Sequence, residues 1–104
     1  MTADIGLTIV TMRFDAADPD ALLAVLSKYV VLTRGHAGCR NVDLCASRLV
    51  TGRYLVIQKW ETGEAQRAHF DSADMVEMAE GTRSMLVAAP DIDLLVGVSA
   101  HDLI

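Results

Sequence analysis

A chain of 104 residues, 52% of them apolar, with a formal net charge of −5, has the length of one domain spanning residues 1–104. Lysine and arginine form no cluster, so the sequence gives no basis for counterion exchange with nucleic acid or for attraction to an anionic membrane. Asp4 stands where a secretory signal would be positive, and the apolar run from Ile5 to Val10 is interrupted by Gly6 and Thr8 and is too short for a bilayer; a cytoplasmic location is the expectation.

In chain order, Ile5 to Phe14 alternates Ile5, Leu7 and Ile9 on one parity with Val10, Met12 and Phe14 on the other, predicting a strand apolar on both faces. Asp18 is placed to cap a helix with Pro19 in its first position. That helix is predicted over Pro19 to Thr33, with Leu22, Leu26, Tyr29, Val30 and Thr33 on one face. Leu23, Val25, Val31 and Leu32 widen the face and imply burial on more than one side, and Gly35 suits a left-handed C-terminal cap. Cys39 to Arg48 and Arg53 to Trp60 read as two strands, and the Thr51-Gly52 turn between them makes an antiparallel hairpin. Cys39 and Cys45 sit ~20 Å apart along one extended strand, beyond disulfide reach, and are expected to be reduced and buried.

Glu64 to Phe70 predicts a helical region. Asp71 or Ser72 can cap a second piece, in which Met75, Met78, Ala79, Thr82, Met85 and Leu86 recur at helical spacing. Pro90 ends it. Asp91 to Ala100 is a final strand, with Ile92, Leu94, Val96 and Val98 on one face and Gly97 marking a bulge or a close backbone approach. The order βαββαβ is the α+β, ferredoxin-like arrangement, an antiparallel sheet with its helices on one face. Strands that are apolar on both parities leave the other face uncovered, so burial predicts a homodimer, two sheets face to face around a barrel-like centre.

The stretch from Gly38 to Ser72 carries a likeness. Gly38-Cys39 leading into a strand resembles a Pro-Gly-Cys entry, with Ala37 in place of proline. Trp60, Glu64, Ala65 and His69 fall on the pattern of a hairpin strand ending in tryptophan and followed by a helical Glu-Ala and a histidine; Gln58 stands where glutamate is usual. Met75 to Leu86 and the PDIDLL segment continue it. On these residues the chain resembles the antibiotic-biosynthesis-monooxygenase family. The resemblance implies dimers of ferredoxin-like subunits, and in the characterised enzymes oxygenation of quinols or polycyclic phenols without metal or flavin. Haem-degrading relatives carry a tryptophan at the place of His69 and a haem-ligating histidine two to three turns later. This chain has Met78, Ala79 and Glu80 there, so haem degradation is disfavoured.

Oxygenation without a cofactor asks for an apolar slot, a proton acceptor and a donor to hold the substrate oxygen. His69 is the best acceptor by type, since histidine titrates near ~6.5; otherwise it bonds a backbone carbonyl at the helix break before Ser72. Trp60 is expected beside it, walling an aromatic slot and offering its indole N–H, or else filling the core. Tyr29, Gln58, Phe70, Met75 and Met78 complete the candidate pocket, although a methionine stripe at helical spacing is commonly core filling. No metal site is expected. His36 and Cys39 are spaced like half a zinc site, but Cys45, His69 and His101 supply no second pair. A nucleophile elbow is absent, which disfavours serine catalysis; with no closed ligand set, no phosphate-cradling glycines and no histidine near Met78, no cofactor is expected either. Three readings follow: a cofactor-independent monooxygenase, a non-catalytic dimeric domain holding a small apolar or aromatic molecule, and an interaction module whose interior is filled by side chains.

Overall fold

The computed structural model describes residues 7–99. Strand parity builds the sheet. In β1 (Thr8–Asp15) Val10, Met12 and Phe14 are fully buried, as are Val56, Gln58 and Trp60 of β3 (Arg53–Trp60). Antiparallel register sets Val10 opposite Gln58, Met12 opposite Val56 and Phe14 opposite Tyr54, so these residues share one face. β2 (Cys39–Ala46) pairs with the far edge of β3 and β4 (Asp91–Val96) with the far edge of β1, giving the antiparallel order β2-β3-β1-β4.

Three helices cover that face. α1 (Pro19–Thr33) begins where Asp18 accepts the Ala21 N–H at 3.3 Å with Pro19 in the first turn, and its buried residues are Leu22, Leu26, Tyr29, Val30 and Thr33. α2 (Gly63–Phe70) is capped by Thr62, which accepts the Ala65 N–H at 3.0 Å. α3 (Ala73–Thr82) is capped by Ser72 and buries Met75, Met78 and Thr82. Burying each of the larger aliphatic side chains contributes roughly 1.5–3 kcal/mol. The fold is the ferredoxin-like α+β arrangement that the element order predicts.

Several local expectations fail, each for a physical reason. Gly35 is not left-handed: α1 closes with Arg34 in the helical region, and the positive φ falls instead on Gly38 (φ 80°) and Gly52 (φ 83°). α1 is one-sided, because Leu23, Val31 and Leu32 point away from the sheet and stay exposed. The methionine helix stops at Thr82; Arg83–Met85 form a 3-10 turn, and Leu86 is extended, bridging Ala16. Cys39 is half-buried but Cys45 is exposed, since its parity on β2 faces away from the helices. The first strand begins at Thr8, with Ile5 and Gly6 outside the described residues. β2 ends at Ala46, short of Arg48. β4 ends at Val96, Gly97 adds one bond to the Leu7 carbonyl at 2.9 Å, and Ala100 lies outside the described residues. Every residue of β4 is exposed, including Ile92, Leu94 and Val96 on the helix side. On the opposite sheet face Ile9, Thr11, Leu55 and Ile57 are half-buried.

Candidate active site

Gly38 sets the geometry at one end of the sheet. Its carbonyl accepts the Glu61 N–H at 2.8 Å, and a Cβ on it would fall 2.5 Å from that of Ala65, so the turn before β2 lies directly against α2. This contact, with the cap on Thr62, lays the last turn of α2 over the end of β3. The break that follows is closed by the Ser72 N–H bonding the His69 carbonyl at 2.9 Å. It is the backbone of His69 that serves the helix break, and its ring is left for other partners.

That ring stacks on Trp60, with centroids 4.9 Å apart and planes inclined by 30°. Both residues are buried, with His69 only 2% exposed although it sits in the last turn of α2. A continuous hydrogen-bonded chain runs through them. Trp60 Nε1–H donates to Gln58 Oε1 at 3.0 Å, and Gln58 Nε2–H donates to the Tyr29 hydroxyl at 2.7 Å. The Tyr29 oxygen lies 2.6 Å from His69 Nε2, His69 Nδ1 lies 3.0 Å from His36 Nδ1, and His36 Nε2 lies 2.7 Å from Asp74 Oδ2.

The two ends of this chain fix its direction. An indole N–H only donates and a carboxylate only accepts. With both imidazoles neutral, His36 therefore carries its proton on Nε2 and must accept at Nδ1. His69 then carries its proton on Nδ1 and accepts the Tyr29 hydroxyl proton at Nε2. Every link points from Trp60 towards Asp74, and each of these six side chains has a partner.

Charge is disfavoured in the middle of the chain and tolerated at its outer end. Burial, then the positive charge on a protonated His36, push the His69 pKa down to about 4, partly offset by the attraction of Asp74. Burial likewise pushes the Tyr29 phenol up to about 12, against the lowering effect of its hydrogen bond from Gln58 and of the nearby Thr33 hydroxyl. The His36 and Asp74 side chains reach solvent, at 22% and 31% exposure.

Next to this chain lies an open cleft of about 500 Å³ between α3 and the helix face of β1 and β4. Met12, Phe14, Met75, Met78, Leu86 and Ile92 give it a largely apolar lining, with Arg83 at its edge. Two thioethers divide cleft from chain: Met75 Sδ is 3.4 Å from the Tyr29 hydroxyl, and Met12 Sδ is 4.0 Å from Gln58 Nε2.

Of the residues singled out in the sequence, Tyr29, Gln58, Trp60, His69 and Met75 are brought together, and Met78 lines the cleft with Met75. Phe70 is not with them: it is exposed and borders a separate shallow groove formed with Val10, Gln66, Arg67, Ile92 and Leu94. Sequence reasoning missed His36 and Asp74 as members of the chain. In the sequence His36 stands out only by its spacing from Cys39, and nothing local links it to a carboxylate 38 residues away. Among the described residues no group of three or more His, Cys, Asp or Glu side chains could hold a metal ion, and no helix is long and apolar enough to cross a membrane.

The site thus combines a ferredoxin-like sheet, an apolar cleft beside α3 and a buried tryptophan–histidine pair. Residues 7–81 match the model of the antibiotic biosynthesis monooxygenase family, and the chain belongs to that family. Solved structures share the fold. Rv0793 from Mycobacterium tuberculosis is 24% identical with a TM-score of 0.82, over 90% of this chain and 97% of that one. A variant of SnoaB, a cofactor-independent oxygenase from Streptomyces nogalater, is 15% identical with a TM-score of 0.82, over 93% and 98%. PA3566 from Pseudomonas aeruginosa is 24% identical with a TM-score of 0.77, over 89% and 94%. A search of curated protein sequences finds no match.

Proposed function

We propose that the chain is a cofactor-independent monooxygenase that oxidises a quinol or polycyclic phenol, working in the cytoplasm as a homodimer closed over its open sheet face. The observation that carries this reading is the hydrogen-bonded chain through Tyr29 and His69, with Met75 between the Tyr29 hydroxyl and an apolar cleft large enough for a fused-ring substrate. Methionine has three rotatable bonds and no branch, so a turn of Met75 opens the Tyr29 hydroxyl to the cleft. A substrate hydroxyl seated there hands its proton to Tyr29 as Tyr29 hands its own to His69. The electron-rich anion reduces dioxygen, the two recombine as a peroxide at a ring carbon that bears hydrogen, and loss of water leaves a second carbonyl: one phenol, giving up its O–H and one ring C–H, and one O₂ give one quinone and one H₂O. Trp60, stacked on His69 and bonded to Gln58, holds both groups in place.

A second reading has its own support. Each side chain of the hydrogen-bonded chain has its partners without a substrate, which suits a domain that holds a small apolar molecule and leaves it unchanged. Oxygen uptake separates the two. With a panel of hydroquinones, anthrones and phenols, the oxygenase consumes one O₂ per substrate, and His69→Ala lowers turnover by roughly 10²–10⁴-fold, the scale of a lost general base. No uptake by wild type with any of the panel leaves the binding domain standing.

A further inference from the structure

His69 has an unexpected weakness as a base. Its ring is buried, and a charge kept there is opposed by desolvation. The geometry removes the difficulty, because His69 Nδ1 faces His36 Nδ1 at 3.0 Å with the rings edge to face, and His36 Nε2 faces the Asp74 carboxylate at 2.7 Å. A proton arriving at His69 Nε2 displaces the one on Nδ1 to His36.

We propose that His36 and Asp74 form a proton store for the oxygenase site, taking up the substrate proton as an imidazolium–carboxylate pair near the surface and returning it to the peroxide. The proposal rests on the oxygenase reading. Atoms balance over the cycle. The substrate O–H bond breaks and its proton joins the Tyr29 oxygen; the Tyr29 proton moves to His69 Nε2; the His69 Nδ1 proton moves to His36 Nδ1. When dioxygen has added, the peroxide anion draws the same protons back, and the chain regains its starting direction with no ring rotation. His36 and Asp74 never touch the substrate, so both are positioning residues acting through His69 and Tyr29.

The loaded state is also accommodated by the fold. With His69 protonated on Nε2, the Tyr29 oxygen accepts from both Gln58 and His69, and its own proton turns to Met75 Sδ, 3.4 Å away on the cleft side. A single structure therefore serves both protonation patterns. Other charged and titratable groups around the store are Lys28 and Glu77, paired at 3.1 Å, and Cys39. Lys28 and Glu77 border the same small hollow as Tyr29 and Asp74, where the store meets solvent.

The test needs no substrate for its first arm. Nitrogen-15 spectra of labelled wild-type protein at neutral pH should show His69 protonated on Nδ1 and His36 on Nε2. On acidification His36 should gain its second proton and His69 should change tautomer to Nε2–H in one shared transition. In His36→Gln, whose amide keeps both hydrogen bonds and takes no proton, that change of tautomer should vanish. The second arm is kinetic: His36→Gln, with a melting temperature close to wild type, should lose roughly 10²–10⁴-fold in kcat at unchanged KM. Independent titration of the two histidines, or wild-type turnover in His36→Gln, overturns the store. If wild type consumes no oxygen at all, the oxygenase reading falls, and the coupled change of tautomer still decides whether the pair holds a proton for His69.

Discussion

Tyr29→Phe is the substitution whose outcome the hydrogen-bonded chain determines most sharply. By transfer free energy alone it should be neutral or stabilising, because it removes one hydroxyl from a residue 2% exposed and fills nearly the same volume. The structure argues the reverse. That hydroxyl is the partner of Gln58 Nε2 at 2.7 Å and of His69 Nε2 at 2.6 Å, and neither has another strong partner within the core. Each buried group left unpaired costs about 1–3 kcal/mol. The two losses share one cavity and are not additive, so a net destabilisation of about 2–4 kcal/mol is expected. Near the transition temperature, a domain of this size falls by about 4–8 °C per kcal/mol, which puts the melting temperature about 8–32 °C lower. Urea denaturation followed by tryptophan fluorescence reads this directly through Trp60, and the slope should be unchanged while the midpoint falls. A midpoint equal to or above wild type would falsify the hydrogen-bond assignment.

Four further outcomes follow from other parts of the molecule. Trp60→Phe keeps a ring but strands Gln58 Oε1 in the core, and chemical denaturation should report a loss of about 1–3 kcal/mol. Gly38→Ala combines a φ of 80° with a Cβ 2.5 Å from that of Ala65, and about 2–4 kcal/mol of stability should go, with α2 displaced and His69 nitrogen shifts altered. The neutral, buried His69 makes stability pH-dependent: the unfolded chain binds its proton near 6.5 and the folded chain only near about 4, so stability should fall as pH drops through that window, by up to ~1.4 kcal/mol per unit, and level off below it; a flat profile between pH 7 and 4 refutes the assigned state. Sedimentation at low micromolar concentration should give two chains per particle, and a clean monomer would remove the dimer from the proposal.

What the sequence discloses is what repeats. The stripe Leu22, Leu26, Tyr29, Val30, Thr33 is the buried face of α1 in the structure, and the parities of β1 and β3 assign Val10, Met12, Phe14, Val56 and Trp60 to the core, because periods of 3.6 and 2 are geometric. Backbone conformations at single residues are less legible. Gly35 and Gly38 both stand after a helix, and it is at Gly38 that the positive φ falls and that Ala65, 27 positions on, leaves no room for a Cβ. The nearness of Trp60 and His69 was accessible from the short connection between β3 and α2. Their burial was not, since it depends on α1 supplying Tyr29 above them. His36 and Asp74 carried no signal at all: one lies in a turn, the other in a helix's first turn, and their pairing exists only once α1 and α3 lie side by side.

On the proposed oxygenase reading, the sulfur lining of the cleft would limit the working life of the protein. Met12, Met75 and Met78 border the space where the proposed reaction forms a peroxide, and thioethers are readily converted to sulfoxides. A sulfoxide at Met75 replaces a soft, weakly accepting sulfur beside the Tyr29 hydroxyl with a strong oxygen acceptor. The tyrosine proton would then be held on the cleft side, and its transfer to His69 would stop. Damage of this kind accumulates with turnovers rather than with time, so each molecule would carry a finite number of catalytic cycles, recoverable only by reductive repair of the sulfur.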